Sequence, residues 1–238
     1  MFKNYIKVAW RNLLKNKVFT AANIVGLTLA FAIALLLTMT ALFELSYDQF
    51  HENKGSIFQV YYSNQTPKGS DISTANPVPF APALKEEVPG VKNIARALSE
   101  NALVSYGDND FNLDAEFVDA DYFSIFSFPT AMGDSNKPMQ DQNSVAITEE
   151  AAKKLFGTTD GIGKIVRLLI GKEEKPFTVS GILKSIPDNS SVSFDIAIPF
   201  DSHSEYKESI DVWDARNHPV YLQLEDGVTK SQFAKYET

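Results

Sequence analysis

The sequence predicts an α+β protein in which one N-terminal transmembrane helix precedes a mixed α/β extracytoplasmic domain. Three observations predict this. Residues 18–43 contain no charged side chain. The 17 residues before them carry five basic residues and no acid. Beyond residue 57, short strand-like and helix-like segments alternate irregularly, without the long spacing of βαβ units.

The uncharged segment from Val18 to Phe43 holds 26 residues. As a helix it would be roughly 39 Å long, enough to cross a bilayer with some tilt. Residues 27–37 are apolar on every side, unlike a helix that covers a soluble core. A cleaved signal peptide would have a shorter apolar part and a small-x-small site, and a buried soluble helix would need a large core. We therefore predict a transmembrane helix at 18–43.

Residues 1–17 are predicted to form a basic amphipathic helix. From Phe2 to Leu14, apolar residues recur at steps of three and four, and lysine and arginine fill the other face. Such a helix lies in the membrane interface on lipid, with Trp10 at the headgroups. The alternative is an unstructured basic segment that only sets topology. By the positive-inside rule, the N-terminus is cytoplasmic and the following domain is periplasmic, giving a single-pass protein of the cell inner (plasma) membrane.

Residues 44–56 are predicted to continue the membrane helix outward as a stalk helix. No glycine or proline interrupts the chain until Gly55, which ends helices readily. A flexible tether is the alternative.

Residues 57–238 form the predicted extracytoplasmic α+β domain. Its helices are predicted at 77–88, 119–126 and 148–156, with Asp119 and Thr148 as N-caps, and a last one capped by Thr229. Its strands are predicted at 57–62, 102–106, 111–118, 144–147, 165–170, 177–183, 192–199 and 220–224. The predicted core contains Phe117, Phe123, Phe126, Leu155, Val179 and Ile182.

Charge and cysteine content exclude several functions. The chain beyond residue 17 carries 17 basic and 30 acidic residues, so nucleic acid is not an expected partner. There is no cysteine, which rules out disulfides and thiolate metal sites.

We predict no catalytic, cofactor-binding or metal-binding residue, and therefore no enzyme and no cofactor. Residues 157–164 resemble a phosphate loop, but five residues separate Gly157 from the Gly-Lys pair where the motif has four, and Ile165 replaces its Ser/Thr. A turn is predicted there. His51, His203 and His218 have no metal-ligand spacing and are predicted to be solvated surface.

Several short blocks resemble a known family. The resemblance is carried, in order, by residues 9–17 (AWRNLLKNK), 23–27 (NIVGL), 44–51 (ELSYDQFH), 117–123 (FVDADYF), 151–157 (AAKKLFG), 161–164 (GIGK) and 177–183 (FTVSGIL). These blocks are similar to the FtsX/MacB-type permease subunits of ABC transporters, and together they cover nearly the whole chain.

The resemblance implies a MacB-like periplasmic core domain with a porter-like lobe and an inserted small α/β lobe. It also implies a cytoplasmic ABC ATPase subunit, a dimer of permeases, and a periplasmic adaptor or substrate protein as partners. Permeases of this type have further spans after the domain, so we expect this chain, which ends inside the domain, to be an N-terminal portion or a truncated reading frame.

Two functions follow. The first is a permease segment that couples ATP hydrolysis by a separate ATPase to export or mechanotransmission in the periplasm. The alternative is a single-span anchored periplasmic binding or interaction module without an ATPase. A membrane-anchored hydrolase is disfavoured because the sequence offers no catalytic constellation.

Overall fold

The computed structural model describes residues 2–67 and 69–228, so the predicted cap Thr229 and its helix lie outside the described residues. The chain divides into two compact units, of which one ends at Tyr47 and the other begins at Asp48. Each unit is described by itself below.

The first unit consists of two helices, α1 (Phe2–Lys15) and α2 (Lys17–Glu44), and neither contains a buried residue. Within the described ranges, α2 is the one helix long and apolar enough to cross a membrane. The hydroxyl groups of Thr28, Thr38 and Thr40 donate to carbonyl oxygens four residues earlier. Their polarity is thereby satisfied within the helix, as an apolar surrounding requires.

The predicted stalk helix over 44–56 is wrong, because α2 ends at Glu44 and successive turns follow it. Asp48 has a φ of 55°, in the left-handed region, where an α-helix cannot continue. Its backbone N–H donates to Asn189 O at 2.9 Å, and its carboxylate accepts the N–H of Ser191 at 2.8 Å. Partners far along the chain therefore stabilise a bend at Asp48, four residues after the helix ends, without a glycine or proline.

The second unit contains thirteen strands, four α-helices and one short 3-10 helix among its described residues. The strands are β1 (Ile57–Gln59), β2 (Tyr62–Thr66), β3 (Gly69–Ser73), β4 (Asn76–Pro77), β5 (Val91–Tyr106), β6 (Asn109–Val118), β7 (Thr130–Met132), β8 (Ser144–Thr148), β9 (Ile165–Ile170), β10 (Glu173–Leu183), β11 (Ile196–Pro199), β12 (Arg216–His218) and β13 (Val220–Leu224). The helices are α3 (Phe80–Glu87), α4 (Tyr122–Ile125), α5 (Glu149–Phe156), the 3-10 turn Phe200–Ser202 and α6 (Tyr206–Ser209).

Six strands form a closed ring of pairings in the order β5, β6, β11, β8, β10, β9 and back to β5. The pairs β6–β11 and β8–β10 are parallel and the other four are antiparallel. Outside the ring, β13 pairs with the first half of β5, β1 pairs with β13, and β7 pairs with β10. Closure leaves the ring without a free edge, which is the general advantage of a barrel.

The interior of the ring is filled by one cluster of buried side chains, which we call the ring interior. Strand β9 shows how it is built, because its exposed and buried residues alternate strictly. All six strands contribute, through Ala102, Val104, Leu113, Ala115, Phe117, Val145, Ile147, Val166, Leu168, Ile170, Phe177, Val179, Ile182, Ile196 and Ile198. Ala151, Ala152 and Leu155 of α5 pack against them.

A second cluster, which we call the aromatic cluster, lies outside the ring. Its large members are Tyr122, Phe123, Phe126, Phe128 and Phe194, with Phe50 and Tyr221 partly buried against it. The six predicted core residues are all buried, two of them in this cluster and four in the ring interior, so that prediction is confirmed. Both clusters belong to the one unit that begins at Asp48.

Local signals correctly placed α5 and misplaced one cap. The Thr148 hydroxyl accepts the N–H of Ala151 at 3.1 Å, and Gly157, with a φ of 71°, ends the helix as predicted. Asp119 does not cap α4, because its carboxylate binds Arg96 instead. Strand β5 begins at Val91, well before the predicted start at residue 102.

Candidate functional site

In the turn that resembles a phosphate loop, the two amides of the Gly-Lys pair donate to backbone carbonyl oxygens. Gly163 N–H donates to Val179 O at 2.8 Å, and Lys164 N–H donates to Gly161 O at 3.2 Å. The Lys164 ammonium lies 4.4 Å from the centroid of the Phe156 ring. Residues 162 and 163 form a turn, so the prediction of a turn is confirmed. Within the described ranges, no group of three or more His, Asp or Glu side chains is arranged to hold a metal ion.

The prediction that the histidines are solvated is wrong. His51, His203 and His218 are only 3%, 9% and 0% exposed. Each imidazole lies beside a ring from a distant part of the chain: His51 beside Phe126 and Phe128, His203 beside Phe117, and His218 beside Phe200. Their burial depends on tertiary contacts that residue spacing does not reveal.

Residues 48–53, which we call the junction segment, are held to the domain by hydrogen bonds. Besides the two bonds of Asp48, the His51 Nδ1 atom accepts Ser127 N–H at 3.2 Å. Glu52 N–H donates to the Ser127 hydroxyl at 3.1 Å, and the Asn53 amide donates to Ser124 O at 3.2 Å. The first residues of the domain are therefore fixed to two separate loops.

The His51 ring is neutral in this arrangement. Because Nδ1 accepts a hydrogen bond, the single ring proton of the neutral form lies on Nε2, which is buried without a partner. Burial lowers the pKa of His51 below its ordinary value of 6.5, and the nearby Asp48 carboxylate opposes this. The ring centroid lies 5.2 Å from that of Phe126 and 5.4 Å from that of Phe128. Protonation would therefore place a charge among aromatic rings.

Two further titratable groups, Tyr122 and Glu116, are buried and interact electrostatically. The Tyr122 hydroxyl is buried without a hydrogen-bond partner. Burial raises the pKa of Tyr122, and the charges of Glu116, Tyr221 and Asp48 act in the same direction. Glu116 is only 4% exposed; burial raises its pKa, although the Ser99 hydroxyl donates to it at 2.5 Å. The aromatic cluster thus contains a buried hydroxyl without a partner, whereas the nearby Glu116 carboxylate has one.

A charged network, which we call the Arg96 network, joins three parts of the domain. The Arg96 guanidinium donates to both carboxylate oxygens of Asp119, at 2.9 and 2.7 Å, and to Asp201 at 3.1 Å. It also lies 4.2 Å from the centroid of the Phe200 ring. Burial and the Arg96 charge lower the pKa of His218 to about 4. This network fixes β5 to the segment after β6 and to the 3-10 turn.

Asp201 also borders two depressions on the surface of the domain, with volumes of about 740 and 260 Å³. They share Gln142 and Asp201, so they adjoin. Lysines and carboxylates both line them, which gives no single charge preference.

These features define a class of protein: a helix able to span a membrane, followed after residues 45–47 by an α+β domain whose first residues are fixed by hydrogen bonds. The chain belongs to the MacB-like periplasmic core domain family, whose sequence model matches residues 20–236. No protein of curated function matches the sequence.

Two solved structures are similar in fold. One is a domain of a protein assigned as a permease from Porphyromonas gingivalis, with a TM-score of 0.64 and 22% identity, covering 79% of this chain and 80% of that chain. The other is the periplasmic region of MacB from Actinobacillus actinomycetemcomitans, with a TM-score of 0.53 and 17% identity, covering 78% of this chain and 84% of that chain.

The chain therefore carries the MacB-like periplasmic core domain of ABC transporter permeases. It is a membrane-anchored protein with an extracytoplasmic domain, and its family is a transporter component and not a classical enzyme. Permeases of the MacB/FtsX family work with ABC ATPase partners and form oligomers. The sequence resemblance to this family is confirmed.

Proposed function

We propose that this chain acts as the permease component of a MacB/FtsX-type ABC transporter. In this role it couples ATP hydrolysis by a separate cytoplasmic ATPase subunit to export or mechanotransmission in the periplasm. The observation that carries the proposal is the extent of the family match, which begins inside α2 and continues through the domain. The same family match thus covers both the membrane helix and the domain.

The proposal places α1 at the cytoplasmic face and the domain in the periplasm. The five basic residues before Val18 support this orientation, since cytoplasmic flanks are enriched in lysine and arginine. The apolar stripe of α1 is exposed, as expected for a helix lying on membrane lipid. A dimer of permeases and a periplasmic adaptor or substrate protein complete the proposed assembly.

The coupling is tested by reconstituting the full chain in lipid nanodiscs with an ABC ATPase of the MacB/FtsX type from the same genome. We expect the ATPase to co-elute with the chain and its ATP hydrolysis rate to change several-fold, whereas an ATPase variant lacking the phosphate-loop lysine should co-elute without hydrolysis. An ATPase that neither co-elutes nor changes its rate would favour the alternative of an anchored periplasmic interaction module.

The orientation is tested with single cysteines, which label cleanly because the chain has none of its own. In cells with a permeabilised outer membrane, a membrane-impermeant maleimide should label Ser135→Cys and leave Lys3→Cys unlabelled. Lys3 lies on α1 and Ser135 is an exposed residue of the domain. Labelling of Lys3→Cys alone would reverse the orientation.

A further inference from the structure

We propose that Asp48 and His51 are positioning residues that clamp the start of the domain to its loops, and that the clamp loosens when the His51 ring takes up a second proton. This inference rests on the proposed function, because a displacement of α2 reaches the domain through the chain that enters it at Asp48. The clamp would set how much of that displacement the domain receives.

The Asp48 half of the clamp combines a bend with two hydrogen bonds. Its φ of 55° is tolerated by aspartate and asparagine better than by other residues with a Cβ. The bend directs the backbone N–H to Asn189 O and the carboxylate to Ser191 N–H, at 2.9 and 2.8 Å. Both partners lie in one loop between β10 and β11, so Asp48 fixes the chain to that loop.

The His51 half fixes the chain to the segment after α4. Only a ring nitrogen without a proton can accept the N–H of Ser127, and Nδ1 does so at 3.2 Å. A second proton on the ring would occupy Nδ1, so two donors would face each other and the bond would be lost. The charge would also lie against the rings of Phe50, Phe126 and Phe128.

The charges around His51 decide the direction of the pH effect. From its own segment, the Asp48 carboxylate favours the protonated ring. The segment after α4 presents two phenyl rings and a backbone amide, which are neutral. Burial outweighs Asp48, and the pKa of His51 falls below 6.5. The clamp is therefore complete above pH 6.5 and is lost as the pH falls from there through the lower pKa of the folded state.

Amide hydrogen exchange of the full chain in nanodiscs, measured between pH 8 and 5 and corrected for the intrinsic rate, tests this inference. In the wild type we expect exchange in segments 46–54, 122–130 and 186–193 to rise about tenfold relative to the ring interior as the pH falls. Strands β8 and β9 should stay protected throughout, because they lie within the closed ring.

Two substitutions at His51 distinguish the role of its hydrogen-bond acceptor from the role of its titration. In His51→Asn the amide oxygen can take the place of Nδ1 without titrating, so exchange in the three segments should lose its dependence on pH. In His51→Phe the ring volume remains but the acceptor is gone, so exchange at pH 7.5 should already match that of the wild type at pH 5. Equal exchange in His51→Phe and the wild type at pH 7.5 would overturn the role of His51.

Asp48 offers a matched pair that does not depend on the aromatic packing. Asp48→Asn keeps both the left-handed backbone preference and an acceptor, and should exchange as the wild type does at pH 7.5. Because it lacks the Asp48 charge that favours the protonated ring, its rise in exchange should move to lower pH. Asp48→Gly keeps the backbone preference but loses the acceptor, and should raise exchange in segment 186–193 at every pH. These two variants test the clamp even if His51→Phe fails to fold. Identical exchange of segment 186–193 in both would contradict the clamp.

The hydrogen-exchange experiment requires no ATPase, so it tests the clamp independently of the proposed coupling to an ATPase. A wild type whose three segments exchange equally at pH 8 and 5 would refute the clamp and leave the coupling proposal standing. A pH-dependent clamp in a chain that binds no ATPase would refute the coupling proposal alone.

Discussion

The ring interior and the aromatic cluster are both buried, but they differ in whether the buried polar atoms in and beside them have hydrogen-bond partners. Among the described residues, no side chain of the six ring strands has a buried nitrogen or oxygen atom without a hydrogen-bond partner. The aromatic cluster contains Tyr122, whose hydroxyl has no partner, and His51, with an unpartnered Nε2, packs against it. An unpaired buried polar group is destabilising, so the aromatic cluster gives up stability that the ring interior retains.

The difference follows from how each region is assembled. The ring interior is enclosed by strands whose backbone groups pair around a closed circuit, so its side chains have fixed positions. The large aromatic side chains of the aromatic cluster come mostly from α4 and the segment after it, which are short or irregular. A region of this kind opens locally at lower free energy than paired strands do. It is also the region that meets the chain arriving from α2.

Removing side-chain volume from the ring interior should produce the largest effect. Leu168→Ala leaves a cavity that paired strands cannot collapse, and we expect the free energy of unfolding to fall by about 2 to 5 kcal/mol. The neighbouring Leu169 is 42% exposed, whereas Leu168 is 0% exposed. Leu169→Ala on the same strand is therefore the matched control, with a change below about 1 kcal/mol. Urea unfolding of the full chain in detergent micelles measures both.

Equal losses for the two leucine variants would show that β9 does not separate an interior from an exterior face. The comparison between the two regions would then lose its structural basis, because a closed ring requires such a separation.

The second largest predicted effect is a loss of folding stability at low pH. It arises from His218 beside the Arg96 network and not from the ring interior. The pKa of His218 is lowered from 6.5 to about 4, so the folded state keeps this histidine neutral. Its contribution to stability is complete above pH 6.5 and is lost as the pH falls towards 4, by an amount on the order of 3 kcal/mol. Urea unfolding of wild type and His218→Asn between pH 7.5 and 4 measures it.

The His218→Asn variant should lose less stability than the wild type over this range, since asparagine does not titrate and can still donate from the position of Nδ1 to Asn217. Carboxylates distant from residue 218 contribute equally to both proteins and cancel in the difference. Leu168→Ala should keep the pH dependence of the wild type. Parallel pH curves for wild type and His218→Asn would contradict the assignment.

Much of the fold could be predicted because its signals are local. The alternation from Ile165 to Ile170 indicates a strand with one buried face, and Thr148 and Gly157 mark the two ends of α5. The apolar span is likewise a property of consecutive residues. The first part of β5 was missed because its pairing partner, β13, lies more than a hundred residues later in the chain.

The candidate site could not be predicted for the same reason. Asp48 and Ser191 are 143 residues apart, and His51 and Ser127 are 76 apart. The absence of glycine and proline after α2 suggested a continuing helix, but tertiary partners at Asp48 stabilise a left-handed residue there. One local signal was available: aspartate is among the few residues that tolerate this conformation.

The smallest predicted effect tests the cost of the unpartnered hydroxyl in the aromatic cluster directly. Tyr122→Phe removes a hydroxyl that is buried without a partner and leaves the ring in place. Because that hydroxyl gave up its hydrogen bonds to water on folding, we expect its removal to raise the free energy of unfolding by about 1 kcal/mol. Tyr221, partly buried at the edge of the same cluster, provides the control: Tyr221→Phe should change stability by less than about 0.5 kcal/mol. Both are measured by urea unfolding at pH 7.5, where His51 and His218 are neutral. A loss of stability in Tyr122→Phe would mean that its hydroxyl has a stabilising partner, such as a bound water, and the aromatic cluster would then resemble the ring interior in having its polar groups satisfied.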